Sequence, residues 1–454
     1  MIPRTIGSLP ASVVVRGDPE AVITGITIDS RAVRPGDLFI AIRGGIEHVG
    51  EAVRAGAAAV AVDETELERA SEAPNLLVTF SVIRLLQCIG DVNAAASDAL
   101  RIGITGSTGK TSTKDTIAHL IAGERRVVAA LEGHNNEIGY PLTLARIEAD
   151  TEVVVCELAM RGRGQIAELC AIASPDIAVI TNIGVAHLEL LESVDAIAAA
   201  KAEIASGVRE GGRVVIPFAE PLLDPYLPEG AHIITFGDEA GSDVQLIDRR
   251  PRDDGQSLTY LIGGDLLTLE TNLAGRHHAR NLAAALAVCR DLELDLDVVV
   301  ERARTIPSQP MRGEALPLPG GATIVNDAYN ANPASMEAAL RLLAETSVTG
   351  RRIAVLGLMA ELGPDTERYH REIGALATRV GVDMVVAVGP IARAYLVGAR
   401  GETAGYAVTD FESAVELLAG LIQPGDRILV KGSKAAGLGP LPAALADRLQ
   451  PGTA

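Results

Sequence analysis

A chain of 454 residues is longer than one hydrophobic core usually organises, so two or three domains are expected. Apolar residues make up 48% and charged residues 22%, which excludes a disordered chain. The formal net charge of −19 excludes a general nucleic-acid binder, which needs a basic face, but leaves room for a locally positive pocket.

Aromatic residues are only 3% and Trp is absent, so the cores must be built from Ala, Val, Leu and Ile. Cys88, Cys156, Cys170 and Cys289 are dispersed without a CxxC pair, which suits reduced thiols better than a disulfide framework or a zinc site. Pro3, Gly7 and Pro10 interrupt any apolar leader, and no uncharged run is long enough to span a bilayer. The expectation is a cytoplasmic protein without membrane insertion.

In chain order, the first 98 residues mix short strands and turns: Ala21 to Asp29, Asp37 to Ile42 and Ala57 to Val62, the last preceded by a helical stretch from Gly50 to Ala55. Asn93 to Ala99 reads as the exposed end of a helix. From Leu100 strands alternate with helices. Leu100 to Thr105, Val153 to Cys156, Ile177 to Ile180 and Val214 to Ile216 are short apolar runs of the kind buried in parallel sheets, and Thr111 to Ala122 and Gly275 to Leu292 are helical. Pro307 and Pro310 mark a boundary near residue 310. Ile324, Ile353 to Leu356, Met384 to Val388 and Ile428 to Val430 then open another strand series. The pattern predicts an α/β protein: a unit over 1–98, an open, mostly parallel sheet covered by helices over 99–310, and a smaller α/β unit over 311–454.

The strongest single feature is the run from Ile104 to Ser112, between a strand and a helix. Gly106 and Gly109 allow tight turning, so that backbone N–H groups of Thr105, Gly106, Ser107, Thr108 and Gly109 can approach phosphate oxygens. The helix N-terminus adds a positive dipole end, Lys110 can reach the outer phosphates, and the Thr111 hydroxyl can ligate Mg²⁺. The strict phosphate-loop spacing would place a Gly where Ile104 stands, so the shorter TGxxGKT form carries the reading. Glu157 ends one strand and His187 follows another, where strand ends deliver ligands in such sheets, and both are candidates to share that ion. Spacing alone leaves Lys201 a solvated helix lysine.

These motifs, with Asn326–Met336 (NDAYNANPASM), Gly357–Gly363 (GLMAELG), Val430–Ser433 (VKGS) and Asn135–Gly139 (NNEIG), resemble the Mur ligase family over nearly the whole chain. The YNANPxSM run resembles the branch that adds D-alanyl-D-alanine to UDP-N-acetylmuramoyl-tripeptide, and the last third lacks a DNPR-like run of the branch adding diaminopimelate or lysine. The resemblance implies three domains: one binding the UDP-sugar, a central phosphate-loop ATPase, and a Rossmann-like C-terminal domain closing over the nucleotide. It implies ATP, two Mg²⁺ ions, an acyl-phosphate intermediate and a monomer.

It further implies that Ser30 and Arg31 meet the UDP moiety and that Lys201 is carbamylated and joins Thr111, Glu157 and His187 in holding metal. Asn281 would face adenine, Arg312 the γ-phosphate and Asp327 the nucleotide, while Asn136, Tyr329, Asn330, Asn332 and Lys431 would contact substrates. His278 stands where the family's GxHNxxN stretch has Asn, Asn326 replaces an acid, and no DGHxF run appears around Gly44 to Val49. The rival readings are another amide ligase of this architecture, including a folate-type glutamate ligase, and a nucleotide-binding scaffold without chemistry.

Overall fold

Continuous apolar runs such as Val153–Glu157 and Ile177–Ile180 are buried at every position, as strands must be when helices cover both faces of a sheet. The computed structural model describes residues 1–9, 13–70, 72–186 and 188–450 and contains three larger sheets and a two-stranded one that pairs Arg4–Thr5 with Val22–Ile23. The largest has nine strands. From Val127–Ala129 it runs through Val153–Glu157, Leu100–Thr105, Ile177–Ile180, Arg213–Pro217, His232–Gly237 and Val244–Arg252 in parallel register. Gly255–Ile262 and Asp265–Thr271 then extend it as antiparallel strands. Side chains alternate between its two cores: Val153 and Val155 face one, Val154 and Cys156 the other. Successive strands depart to opposite sides of Leu100–Thr105, and the crevice beyond its carboxyl end is where such sheets bind ligands.

The Ala-rich helix Arg276–Asp291 buries Ala283 through Cys289 against this sheet, its small side chains allowing close approach. With no Trp to fill volume, buried Tyr140, Tyr260 and Tyr395 are the largest core residues. Their phenols donate to the carbonyls of Ala173 (2.6 Å), Ala279 (2.8 Å) and Gly357 (2.8 Å), so no polar cost offsets their apolar area.

The N-terminal sheet has five strands and the C-terminal sheet six, ordered Glu314–Pro317, Thr323–Asp327, Arg427–Lys431, Arg352–Leu356, Met384–Val388 and Ala404–Val408. Two expectations are corrected and one element is added. Ala21 to Asp29 is not one strand: Val22–Ile23 and Gly25–Thr27 belong to different sheets, split where Thr24 N donates to Gly36 O. Asn93 is fully buried, its amide donating to the carbonyls of Leu144 and Ile147 and so tying the helix Val82–Ala95 to the central unit. The three antiparallel strands over 244–271 were not anticipated, because charged Arg249, Arg250 and Arg252 interrupt the apolar pattern on a sheet with one open face.

Candidate active site

Gly109 ends the phosphate loop with φ 77° just before the helix Lys110–Ile121, and a side chain there would put its first carbon 2.7 Å from Asn281 Oδ1. Gly106 packs still more tightly, against the Thr181 hydroxyl. The segment just past the strand Ile177–Ile180 braces the loop: Thr108 N donates to Asn182 Oδ1 (2.9 Å), Thr181 Oγ1 to Thr108 O (2.5 Å) and Ser107 Oγ to Gly184 O (2.8 Å). Lys110 Nζ folds back onto Gly106 O at 2.8 Å. Burial holds this lysine below its ordinary value; Glu157 opposes that shift and Arg312 adds to it.

Glu157 is delivered by the adjacent strand. One carboxylate oxygen accepts from Thr111 Oγ1 (2.7 Å) and the other from Asn135 Nδ2 (2.9 Å). The NNEIG run therefore contributes Asn135 to the site. Asn136 Oδ1 instead accepts from Ile138 N (3.2 Å) and Gly139 N (2.9 Å), capping the helix Gly139–Ala145 while still lining the cleft. His187 lies outside the described residues. Lys201 is not a solvated helix lysine: it is 1% exposed, and burial, with the Lys110 charge adding to it, pushes its amine well below the ordinary lysine value.

The C-terminal unit supplies the opposite wall. Arg312 lies 3.7 Å over the Tyr329 ring and reaches Thr111 Oγ1 at 3.2 Å, linking both units to the phosphate loop. Asp327 is paired with the Lys431 amine at 2.7 Å, and the same amine donates to Asn330 O at 3.0 Å. Buried Lys431 thus shapes the Asp327–Asn330 turn. Asn332 is a helix cap, its Oδ1 accepting from Ser335 N (2.9 Å) at the start of Pro333–Glu345. In the first unit, buried Ser30 donates from Oγ to Glu51 Oε2 (2.6 Å), and the exposed Arg31 guanidinium is bound by Asp29, which it holds down to about 2. Neither Ser30 nor Arg31 lines the cleft; Arg43, in left-handed backbone (φ 48°) beside Gly44, reaches it instead.

The cleft encloses about 1480 Å³, more than a single small ligand needs. Ten Lys and Arg side chains line it against seven carboxylates, so an acidic protein has a locally basic site. His277 and His278 pack with tilted rings, their centroids 4.3 Å apart, on its wall. Burial lowers them to about 4 and about 3, with the Lys431 and Arg249 charges adding to the shift of His277 and the His277 charge to that of His278, so both are neutral at pH 7.

Residues 104–289 match the Mur ligase middle domain and residues 311–434 the Mur ligase glutamate ligase domain. The chain belongs to the Mur ligase family. Among its relatives, the UDP-N-acetylmuramoyl-tripeptide–D-alanyl-D-alanine ligase of Bacillus subtilis is 32% identical over 91% of each chain. The enzyme of that name from Synechocystis is 35% identical over 92% of this chain and 90% of its own. In structure, MurF from Acinetobacter baumannii superposes with TM-score 0.83 at 26% identity, covering 94% of both chains. MurF from Thermotoga maritima in complex with ADP gives 0.81 at 28% identity, covering 94% of this chain and 98% of its own.

Within this Mur ligase, the strand-end position of Glu157 and the GKT turn were readable from sequence, whereas Thr181 and Asn182, which grip the loop from behind, were not. A TN pair closing an apolar strand is the signal that would have found them. The stacked geometry of Arg312 makes a test. Arg312→Lys keeps the charge but loses the planar fork, and is expected to lower kcat/KM for ATP roughly tenfold, equivalent to a contact of about 1.4 kcal/mol. Initial rates across an ATP series check it.

Proposed function

We propose that this Mur ligase joins D-alanyl-D-alanine to the terminal carboxylate of UDP-N-acetylmuramoyl-tripeptide, driven by ATP, as a step of peptidoglycan precursor synthesis. The observation that carries the reading is the identity, 32–35% over about nine-tenths of both chains, to enzymes named for that reaction. The phosphate loop and the Asp327–Asn330 turn, on opposite walls of one basic cleft, support it.

The peptide carboxylate is a poor electrophile. Its oxygen attacks the γ-phosphorus of ATP, the bond to the bridging oxygen breaks, and ADP leaves behind an acyl phosphate. The amine of D-alanyl-D-alanine then attacks the acyl carbon, a tetrahedral intermediate forms, and phosphate departs with its oxygen. The N–H groups from Gly109 to Thr111, at the start of the helix, and the Lys110 amine grip the triphosphate, while Arg312 offsets charge on the transferring group. Asn281, beside Gly109, faces the nucleotide. Tyr329 and the Asp327–Asn330 turn, held by Lys431, close the opposite side and exclude water from the anhydride.

Magnesium fits the donor set. Among the described residues no three His, Cys, Asp or Glu side chains converge, and Thr111 with Glu157 offers the sparse oxygen ligation that Mg²⁺ takes when phosphates and waters complete its shell. When bound, the ion neutralises phosphate charge and aligns carboxylate and phosphoryl group. Lys201 is suited to carbamylation because burial, with the Lys110 charge adding to it, favours its neutral form, and only the neutral amine attacks CO₂, forming an N–C bond and releasing a proton.

The experiment is isotope transfer. With ¹⁸O in the tripeptide carboxylate, label should emerge in inorganic phosphate, and ADP formation beyond a single turnover should require D-alanyl-D-alanine. Unlabelled phosphate alongside full amide formation overturns the acyl-phosphate route, and preference for another amine in an acceptor panel overturns the assigned acceptor.

A further inference from the structure

The C-terminal loop 357–363 is held from beneath by two residues that touch no part of the cleft. His370, fully buried on the helix Thr366–Arg379, donates from Nδ1 to Thr366 O (2.7 Å) and accepts Met359 N–H at Nε2 (3.0 Å). Tyr395, fully buried on Ala394–Gly398, packs its ring at a tilt against that imidazole, centroids 4.7 Å apart, and donates its phenol to Gly357 O at 2.8 Å. Both ends of the loop's first turn are thereby fixed to the core, and Met359 and Leu362 are buried beside them.

The loop also touches the central unit. Glu361 sits in left-handed backbone (φ 62°), a conformation that persists only where the surroundings over-determine it. Its carbonyl accepts Glu189 N–H at 3.1 Å across the boundary between units. Val185 packs on the cluster that contains Met359, Leu362 and Tyr395. Val185 follows directly on Gly184, whose carbonyl and N–H are bonded to Ser107 Oγ, and Asn182, which binds Thr108. A continuous path of contacts therefore runs from the His370–Tyr395 pair, through the loop, to the phosphate loop, while Ala360 and Glu361 line the cleft.

We propose that the loop 357–363 is the docking element through which the C-terminal unit positions the phosphate-loop brace, with His370 and Tyr395 as positioning residues that hold it in shape for that contact. A carboxamide can accept one bond and donate another, as this imidazole does; an aliphatic side chain can do neither. His370→Leu should release the Met359 amide and, through the loop, the Glu189 amide in the other unit. His370→Gln should retain both.

Hydrogen exchange on the full chain reads this without any assay of turnover. Expected in His370→Leu is at least roughly tenfold faster exchange at both Met359 and Glu189, near-normal protection in His370→Gln, and a smaller change of the same pattern in Tyr395→Phe. Because the kinetic readout rests on the ligase reading above, it is the second arm: kcat should fall roughly tenfold in His370→Leu, with KM for ATP within about twofold, and recover in His370→Gln. Unchanged Glu189 exchange while Met359 is released overturns the proposal, as does equal behaviour of the Leu and Gln variants. If His370→Leu does not fold, Tyr395→Phe decides: Glu189 protection at the wild-type level overturns it. An inactive wild type would sink the assigned substrates and leave the exchange result to judge the docking contact.

Discussion

Lys110→Ala is expected to lower ATP turnover by about 10³-fold while leaving the thermal midpoint close to that of the wild type. The two halves of that expectation have different origins. The Lys110 amine folds back on Gly106 O at 2.8 Å, within the loop that cradles phosphate. Loss of one partly exposed bond changes stability little. Catalysis loses far more, because Lys431 is committed to Asp327 and Asn330, and Arg312, held over Tyr329 from the opposite wall, cannot take the place of an amine rooted in the loop itself. Burial depresses Lys110, and the triphosphate supplies the opposite charge that favours its protonated form once bound. Coupled ADP assay and calorimetry of the same sample test both halves. A loss under tenfold would mean that another group carries the phosphate charge, and a large fall in midpoint would make Lys110 structural.

How far the sequence could be read follows from whether the information was local. The phosphate loop needs two glycines, a lysine and a helix start within a few residues, so strand, turn and helix could be read from Leu100 to Ile121 and the structure places them so. Fully buried strands such as Ile177–Ile180 announce themselves by unbroken apolar runs. Val244–Arg252 does not, since its end carries arginines that serve the cleft and an ion pair from Arg249 to Glu345. Asn135 and Asn136 are indistinguishable as letters; which one turns to Glu157 and which caps a helix depends on the backbone between them. The same limit applied to Lys201. Its helix is Ala-rich on all sides, and no periodicity says that the lysine faces inward until a second layer is packed against it. In the first unit, the grip on the cleft comes from Arg43, whose left-handed backbone the following Gly44–Gly45 pair only faintly signals.

Lys201→Met is expected to abolish most turnover, by about 10²- to 10³-fold, and yet to raise thermal stability. The sign follows from burial. In the folded chain Lys201 is pushed well below its ordinary value, chiefly by removal from water and further by the Lys110 charge, whereas in the unfolded chain it titrates as a free lysine at 10.5. Between those two values the unfolded state holds a proton that the folded state lacks, so wild-type stability rises with pH across that window. The penalty is complete below the folded value and vanishes above the unfolded one. A methionine of similar length carries no such penalty, so its advantage should be largest at neutral or acid pH and shrink toward pH 10, with a midpoint gain of roughly 2–4 °C for each kcal/mol recovered. Calorimetry of both proteins over a pH series in CO₂-free buffer measures this. Turnover with and without bicarbonate supplies the second arm: wild-type activity should rise with bicarbonate and the methionine variant's should not. A lysine kept in a core that would be more stable without it is retained for chemistry. A methionine variant that is less stable at every pH would instead make Lys201 a packing residue, and full activity in it would remove the carbamate from the reaction.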